Sequence, residues 1–120
     1  MAKYQIEAIP GDGIGPEITQ AAIAVLDECE ARYGLNFSYR FHDFSADLYR
    51  RTGRKITAED MNEIGKSHAV LFGAMGLPDV RGPEGLELGA QVEMRAHYEL
   101  TASLRPVRRF PGIETPVKAE

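Results

Sequence analysis

Several common classes of protein announce themselves by features that this sequence has little of. Cys29 is its single cysteine, so neither a disulfide framework nor a cysteine-built metal site forms within one chain, and a reducing, cytoplasmic compartment fits. No apolar run approaches the ~18 residues needed to cross a bilayer, and Met1-Ala2-Lys3-Tyr4-Gln5 runs straight into a strand-like pattern, so no membrane partner is expected. Basic residues are scattered except at Arg50-Arg51, Arg54-Lys55 and Arg105 to Arg109, and with a formal net charge of −4 there is no footprint for nucleic acid. His42, His68 and His97 lack metal-ligand spacing. Internal repeats and low-complexity tracts are missing as well. What is present is ordinary globular composition, 43% hydrophobic and 27% charged over 120 residues, enough for one domain with one core.

Periodicity divides the chain into alternating elements. Apolar residues at Tyr4, Ile6 and Ala8, joined by Ile9, give a first strand, half or fully buried, that Pro10 ends. Pro16 and Glu17 suit the first turn of a helix, and Ile18, Ala21, Ala22, Val25, Leu26 and Cys29 form its apolar stripe as far as Gly34. Phe37, Tyr39 and Phe41 alternate with Ser38, Arg40 and His42, which predicts a second strand with one wet face. Short helices are expected over Ser45 to Thr52, ended by Gly53, and from the capping box Thr57-Ala58-Glu59-Asp60 through Ile64. His68 to Met75 predicts a strand whose Ala69-Val70-Leu71-Phe72 run reads as central and buried on both faces. Gly76 to Gly85 is a loop, Leu86 to Leu100 a helix, and Ala102 to Val107 a further extended segment. This alternation predicts an α/β domain with a largely parallel sheet.

Two places carry chemistry. In Gly11-Asp12-Gly13-Ile14-Gly15, backbone N–H groups at a helix start attract anionic or polar ligand groups, although the spacing is not that of the dinucleotide fingerprint and a plain tight turn explains it equally. Steps of four place Glu87, Gln91 and Arg95 on one helix face, which is also how an ordinary exposed stripe looks. Arg105 follows in Ser103-Leu104-Arg105-Pro106. Two guanidiniums converging with Arg95 suit a substrate with two carboxylates, since each binds one bidentately. Gly65-Lys66-Ser67 imitates the end of a P-loop but precedes a strand, and Asn36-Phe37-Ser38 has only the form of a glycosylation sequon.

Ile9-Pro10-Gly11-Asp12-Gly13-Ile14-Gly15-Pro16-Glu17 resembles the opening of the isopropylmalate/isocitrate dehydrogenase family nearly letter for letter. In the same order, Leu71-Phe72-Gly73-Ala74-Met75-Gly76 resembles that family's glycine-bearing strand end. Arg95 with Leu104-Arg105-Pro106-Val107 and Phe110-Pro111-Gly112 resembles its substrate-arginine helix and the segment after it. The resemblance implies an isopropylmalate dehydrogenase-like α/β fold, with an incomplete first domain over 1–112 and a tail over 113–120. It implies NAD together with Mg2+ or Mn2+, hydride transfer from a 2-hydroxy diacid, and loss of carbon dioxide. Arg95, Arg105 and Gln91 would meet the substrate; Gly13, Ile14, Gly73, Ala74 and Glu87 would meet the cofactor. The implied tyrosine and lysine acid/base groups and the metal-binding aspartates lie outside this chain, so none of its residues is assigned a catalytic or metal role and the isolated chain is expected to be inactive. A homodimer is implied for the whole enzyme. 3-Isopropylmalate is the first substrate expected, with isocitrate, tartrate and malate as alternatives, and a non-catalytic binding module is the competing reading. Two departures bear on this: Gln91 stands where an apolar residue usually faces the isopropyl group, and Ser103 replaces a usual asparagine.

Overall fold

The computed structural model describes residues 3–108 and 110–114, apart from the Glu84 side chain. Arg109 and the part of the expected tail from residue 115 onward lie outside the described residues. Three strands form one parallel sheet in the order β2-β1-β3, where β1 is Lys3–Ile9, β2 is Asn36–Phe41 and β3 is Ala69–Phe72. β1 is the middle strand, pairing Lys3 to Ala8 with Asn36 to Phe41 on one side and Ile6 to Ile9 with Ala69 to Phe72 on the other. Both flanking connections therefore start and end around β1. α1, Gly15–Tyr33, crosses from β1 to β2; α2, Ala46–Thr52, and α3, Ala58–Ile64, cross from β2 to β3. α4, Ala90–His97, follows a loop that holds a 3-10 turn at Pro83–Gly85.

Local chemistry fixes the helix ends. Gly34 and Gly53 adopt left-handed φ values of 66° and 71°, which glycine reaches without strain, and each returns its N–H to a carbonyl of the last turn. The Ser45 side chain caps α2 by accepting from the Leu48 amide. At α3 the box is complete, because Thr57 accepts from the Asp60 amide while the Asp60 carboxylate accepts from the Thr57 amide. Thr57→Ala is expected to lower stability by about 1 kcal/mol, measured by urea unfolding; a loss below a few tenths would show that Asp60 alone holds the helix start.

The core gathers Ile9, Phe44, Ile56, Met61, Ile64, Ala90 and Met94 on the α3/α4 face of the sheet, with Val70, Phe72, Met75 and Tyr98 packed against it. Several elements differ from the sequence expectation. β3 is an edge strand among the described residues, with Ala69 exposed, and β1 instead is buried on both faces from Ile6 to Ile9. Arg40 on the polar face of β2 is exposed as expected, but its guanidinium and the half-buried His42 turn to Glu7 on β1. α1 buries Gly15 and Thr19, while Ile18 and Val25 are 42% and 64% exposed: its apolar arc is wider than the three strands beneath it. Cys29 is half-buried on the same helix.

The helix expected from Leu86 begins only at Ala90, so Glu87 is not on it. Gly85 at φ 73° and Gly89 at ψ 78° interrupt the helical path, and Glu87 pairs with Arg81 in an antiparallel bridge. No regular structure forms over 101–108, where an extended segment was expected, and those residues are exposed.

Candidate functional site

In an open α/β sheet, ligands gather outside the carboxyl ends of the strands, where consecutive connections leave in opposite directions. Here that place is between β1 and β3. The glycine turn after β1 and the Gly73-Ala74 segment after β3 lie against each other there: the Asp12 amide donates to the Ala74 carbonyl at 2.8 Å, and the Gly73 amide donates to Ile9 at 2.8 Å. A Cβ on Gly11 would stand 2.0 Å from the Ala74 oxygen, and one on Gly73 would stand 2.1 Å from the Pro10 oxygen. Glycine at these two positions is what lets the strand ends meet.

Gly13 is different in kind. Its φ is 58°, and a Cβ there would meet nothing within 4 Å, so this part of the turn faces open space. Ile14, the N-cap of α1, is 60% exposed and no side chain caps the helix start. The turn therefore presents unencumbered backbone and one apolar side chain at the positive end of a 19-residue helix dipole.

α4 reaches the segment after β3 through Ala90, whose amide donates to the Met75 sulfur at 3.4 Å. Ala90 and Met94 enter the core, leaving Gln91 and Arg95, one turn apart, on an exposed face. The Gln91 amide folds back to 3.5 Å from where a Cβ on Gly89 would stand. Glu87 sits one step outside the helix, its carboxylate taking a 2.8 Å hydrogen bond from Arg81. Gly76, Leu77, Arg81 and Glu87 line a shallow cleft beside the strand ends. Among the described residues Arg40, Arg50, Arg51, Arg54 and Arg81 are all held in ion pairs. Arg95 is in none among those residues, a state it shares with Arg32, Arg105 and Arg108. The structure thus brings Gly13, Ile14, Gly73 and Ala74 to one crevice and Gln91 and Arg95 to one helix face. Arg105 is exposed in the irregular stretch and shares no hydrogen bond or acid with Arg95 among the described residues.

Sequence reasoning passed over two residues. Asp12 is 6% exposed inside the turn, and its carboxylate accepts from the amides of Ala46, Asp47 and Gly76 at 2.7, 3.0 and 3.0 Å. An acid between two glycines of a tight turn is the signal that was available. Glu7, fully buried in β1, takes bonds from Arg40, His42, Ser67 and Gln5. Despite holding a serine, a histidine and an acid, this cluster is not a nucleophile set, because the acid is central and the Ser67 hydroxyl donates to it rather than to His42. The Arg40 guanidinium, with help from Ser67 and His42, outweighs burial and holds the Glu7 carboxyl down at about 2.

The pattern of the family described as isocitrate/isopropylmalate dehydrogenase matches residues 5–120. A "probable tartrate dehydrogenase/decarboxylase" of Agrobacterium vitis is 36% identical over 121 residues, covering 98% of this chain and 33% of its own length. A 3-isopropylmalate dehydrogenase of Yersinia pestis is 36% identical over 117 residues, covering 92% of this chain and 31% of its own. The chain spans about a third of the length of these curated relatives. Among solved structures, the TT0538 protein of Thermus thermophilus superposes with a TM-score of 0.70 at 36% identity over 93% of this chain and 21% of that one. The apo β-decarboxylating dehydrogenase of Thermococcus kodakarensis does so with a TM-score of 0.62 at 33% identity, over 81% of this chain and 27% of that one. A pattern running from residue 5 to residue 120 takes in the sheet, the crevice and α4 together, and the chain belongs to the isocitrate/isopropylmalate dehydrogenase family.

Proposed function

We propose that this chain supplies the β1/β3 crevice and the α4 substrate face of an NAD-dependent dehydrogenase that oxidises and decarboxylates a 2-hydroxy diacid. The observation that carries the reading is the placing of Gln91 and Arg95 together on the exposed face of α4, where Arg95 is in no ion pair among the described residues. A planar guanidinium not already neutralised by an acid is suited to hold a carboxylate through two parallel bonds, and Arg105 would meet the second carboxylate on docking of the irregular stretch. Gly13 and Ile14 fit the nicotinamide end of NAD, since one leaves backbone open and the other offers a flat apolar surface, while Gly73 and Ala74 complete that wall and Glu87 would accept from a ribose hydroxyl. When bound, NAD takes up the hydride of the substrate carbinol. Among the described residues no three His, Cys, Asp or Glu side chains gather to hold a metal, so no step is assigned here to a metal-binding residue. The whole enzyme would act as a homodimer.

Gln91 orders the substrates. Gln91 is exposed in this chain; once a substrate and the rest of the enzyme cover it, an amide facing an isopropyl group is costly unless it finds a partner, whereas a hydroxyl or carboxylate branch supplies one. A polar 2-hydroxy diacid such as tartrate is therefore the first reading, in keeping with the name of the Agrobacterium vitis relative. 3-Isopropylmalate is the second, favoured by a Yersinia pestis relative of equal identity. The test joins this chain to the remaining length of that relative and compares native Gln91 with Gln91→Leu. On the first reading the leucine variant loses roughly tenfold or more in kcat/KM for tartrate, because the polar branch loses its partner. On the second it gains about as much for 3-isopropylmalate. No NAD reduction with tartrate, 3-isopropylmalate, isocitrate or malate by the native joined protein would sink both.

A further inference from the structure

We infer that Asp12 is a positioning residue: its carboxylate ties three separate loops into one rigid crevice wall and so sets where Gly13 and Ile14 stand. The inference rests on the proposed reading only in taking that crevice as the cofactor wall.

The geometry begins with unmet backbone donors. α2 has seven residues, too few to hold itself, and its first amides have no partner within the helix. Ser45 accepts from the third of them, Leu48. The first two, Ala46 and Asp47, are met from 34 and 35 residues away: Asp12 Oδ2 accepts from Ala46 at 2.7 Å and Oδ1 accepts from Asp47 at 3.0 Å. Oδ2 also accepts from Gly76, at 3.0 Å, in the loop after β3. The backbone of the same residue is engaged as well, its amide donating to Ala74 and its carbonyl accepting from Gly15, both at 2.8 Å. One residue thus fastens the β1–α1 turn, the start of α2 and the end of β3.

A carboxylate is needed for this, not merely a polar group. Three N–H donors converge on two oxygens, and charge-assisted bonds of this kind are about twice as strong as neutral ones. Asparagine would turn an NH2 toward a backbone N–H and strand at least one buried donor. The same bonds exclude another role. With three acceptor sites in use and 6% exposure, Asp12 is not free to take a ribose hydroxyl or a metal ion, although it lies in the turn that borders the crevice. Gly13 follows it directly, at a φ of 58° and with open space where a Cβ would stand. The restraint on the crevice backbone comes from Asp12.

The test is made on this chain by NMR. In the native protein, couplings across the hydrogen bonds should connect the Asp12 side-chain carboxyl carbon with the amides of Ala46, Asp47 and Gly76; their absence would overturn the inference without any variant. In Asp12→Asn, amide exchange at those three positions should accelerate at least tenfold, and the resonances of Gly13, Ile14 and Ala74 should move. Arg40, His42 and Tyr98, which belong to the Glu7 cluster and the core, should keep native shifts and exchange. Uniform acceleration across both groups would reduce Asp12 to a general stabiliser and overturn the proposal, as would unchanged exchange at the three amides. NAD is then added to both proteins. Shifts at Gly13 and Ile14 in the native chain that are lost in Asp12→Asn support positioning. No shift in the native chain counts against NAD at this crevice, while the couplings and exchange rates still decide the role of Asp12.

Discussion

Replacing Glu7 by glutamine is expected to cost about 3 kcal/mol, since removing one partner of a buried charge cluster leaves the others uncompensated. The carboxylate has no exposed surface, while Arg40, its partner in the β1–β2 register, is half-exposed. Arg40 donates through Nε at 2.8 Å and Nη2 at 2.6 Å, and His42 Nε2 lies 2.5 Å away. Glutamine keeps the shape and loses the charge that these groups answer. The pH dependence gives a second measure. The carboxyl is depressed in the folded protein from 4.5 to about 2, so its stabilisation is complete above 4.5 and is lost as pH falls toward 2. Urea unfolding should show the native chain losing roughly 3 kcal/mol from this group across that window, by the usual conversion of a pKa difference. Glu7→Gln should lack that loss. Parallel curves for the two proteins would mean that the cluster is exchanged for solvent at no cost.

This cluster also shows what the sequence conveys and what it withholds. Gly34, Gly53, Ser45 and the Thr57–Asp60 box act within a turn of the residues they cap, so their effects could be read before any fold was known. The partner of Glu7 lies 33 residues away and is assigned only by parallel register. Without that register, Arg40 and His42 look like a wet strand face. The position of β3 was hidden for a related reason: an apolar run of four fits an edge strand covered by a helix layer as well as a central one, and the buried middle place went to β1, which its apolar pattern left open as half or fully buried. The helix expected from Leu86 is cut short locally, since Gly85 and Gly89 leave the helical path and Glu87 is held in a bridge to Arg81, six residues away. The crevice was legible through its glycines, whereas the role of the acid among them was not, because its three donors come from other loops.

Those glycines do not all matter for one reason, and a pair of alanine substitutions should separate them. Gly13→Ala faces open space, so its only cost is the left-handed backbone, about 1 kcal/mol. Gly11→Ala carries the same backbone cost at a φ of 77° and adds a Cβ at 2.0 Å from the Ala74 oxygen and 2.9 Å from its carbon. Both of those atoms are main chain at the end of β3, so no side chain can rotate away. The strand end must move back by more than an ångström, judged from ordinary contact distances of about 3.5 Å. That movement breaks the 2.8 Å bond from Asp12 to Ala74 and draws Gly76 off the Asp12 carboxylate. Each of these two stranded donors costs about 1–3 kcal/mol, so with the backbone term the sum for Gly11→Ala should be about 3–7 kcal/mol, with the Asp12 amide losing its slow exchange. Gly13→Ala should leave that amide protected. Equal losses in urea unfolding for the two variants would show that the strand ends yield readily. The crevice would then be a soft contact between loops, and the close approach of Gly11 to Ala74 would place no constraint on the site.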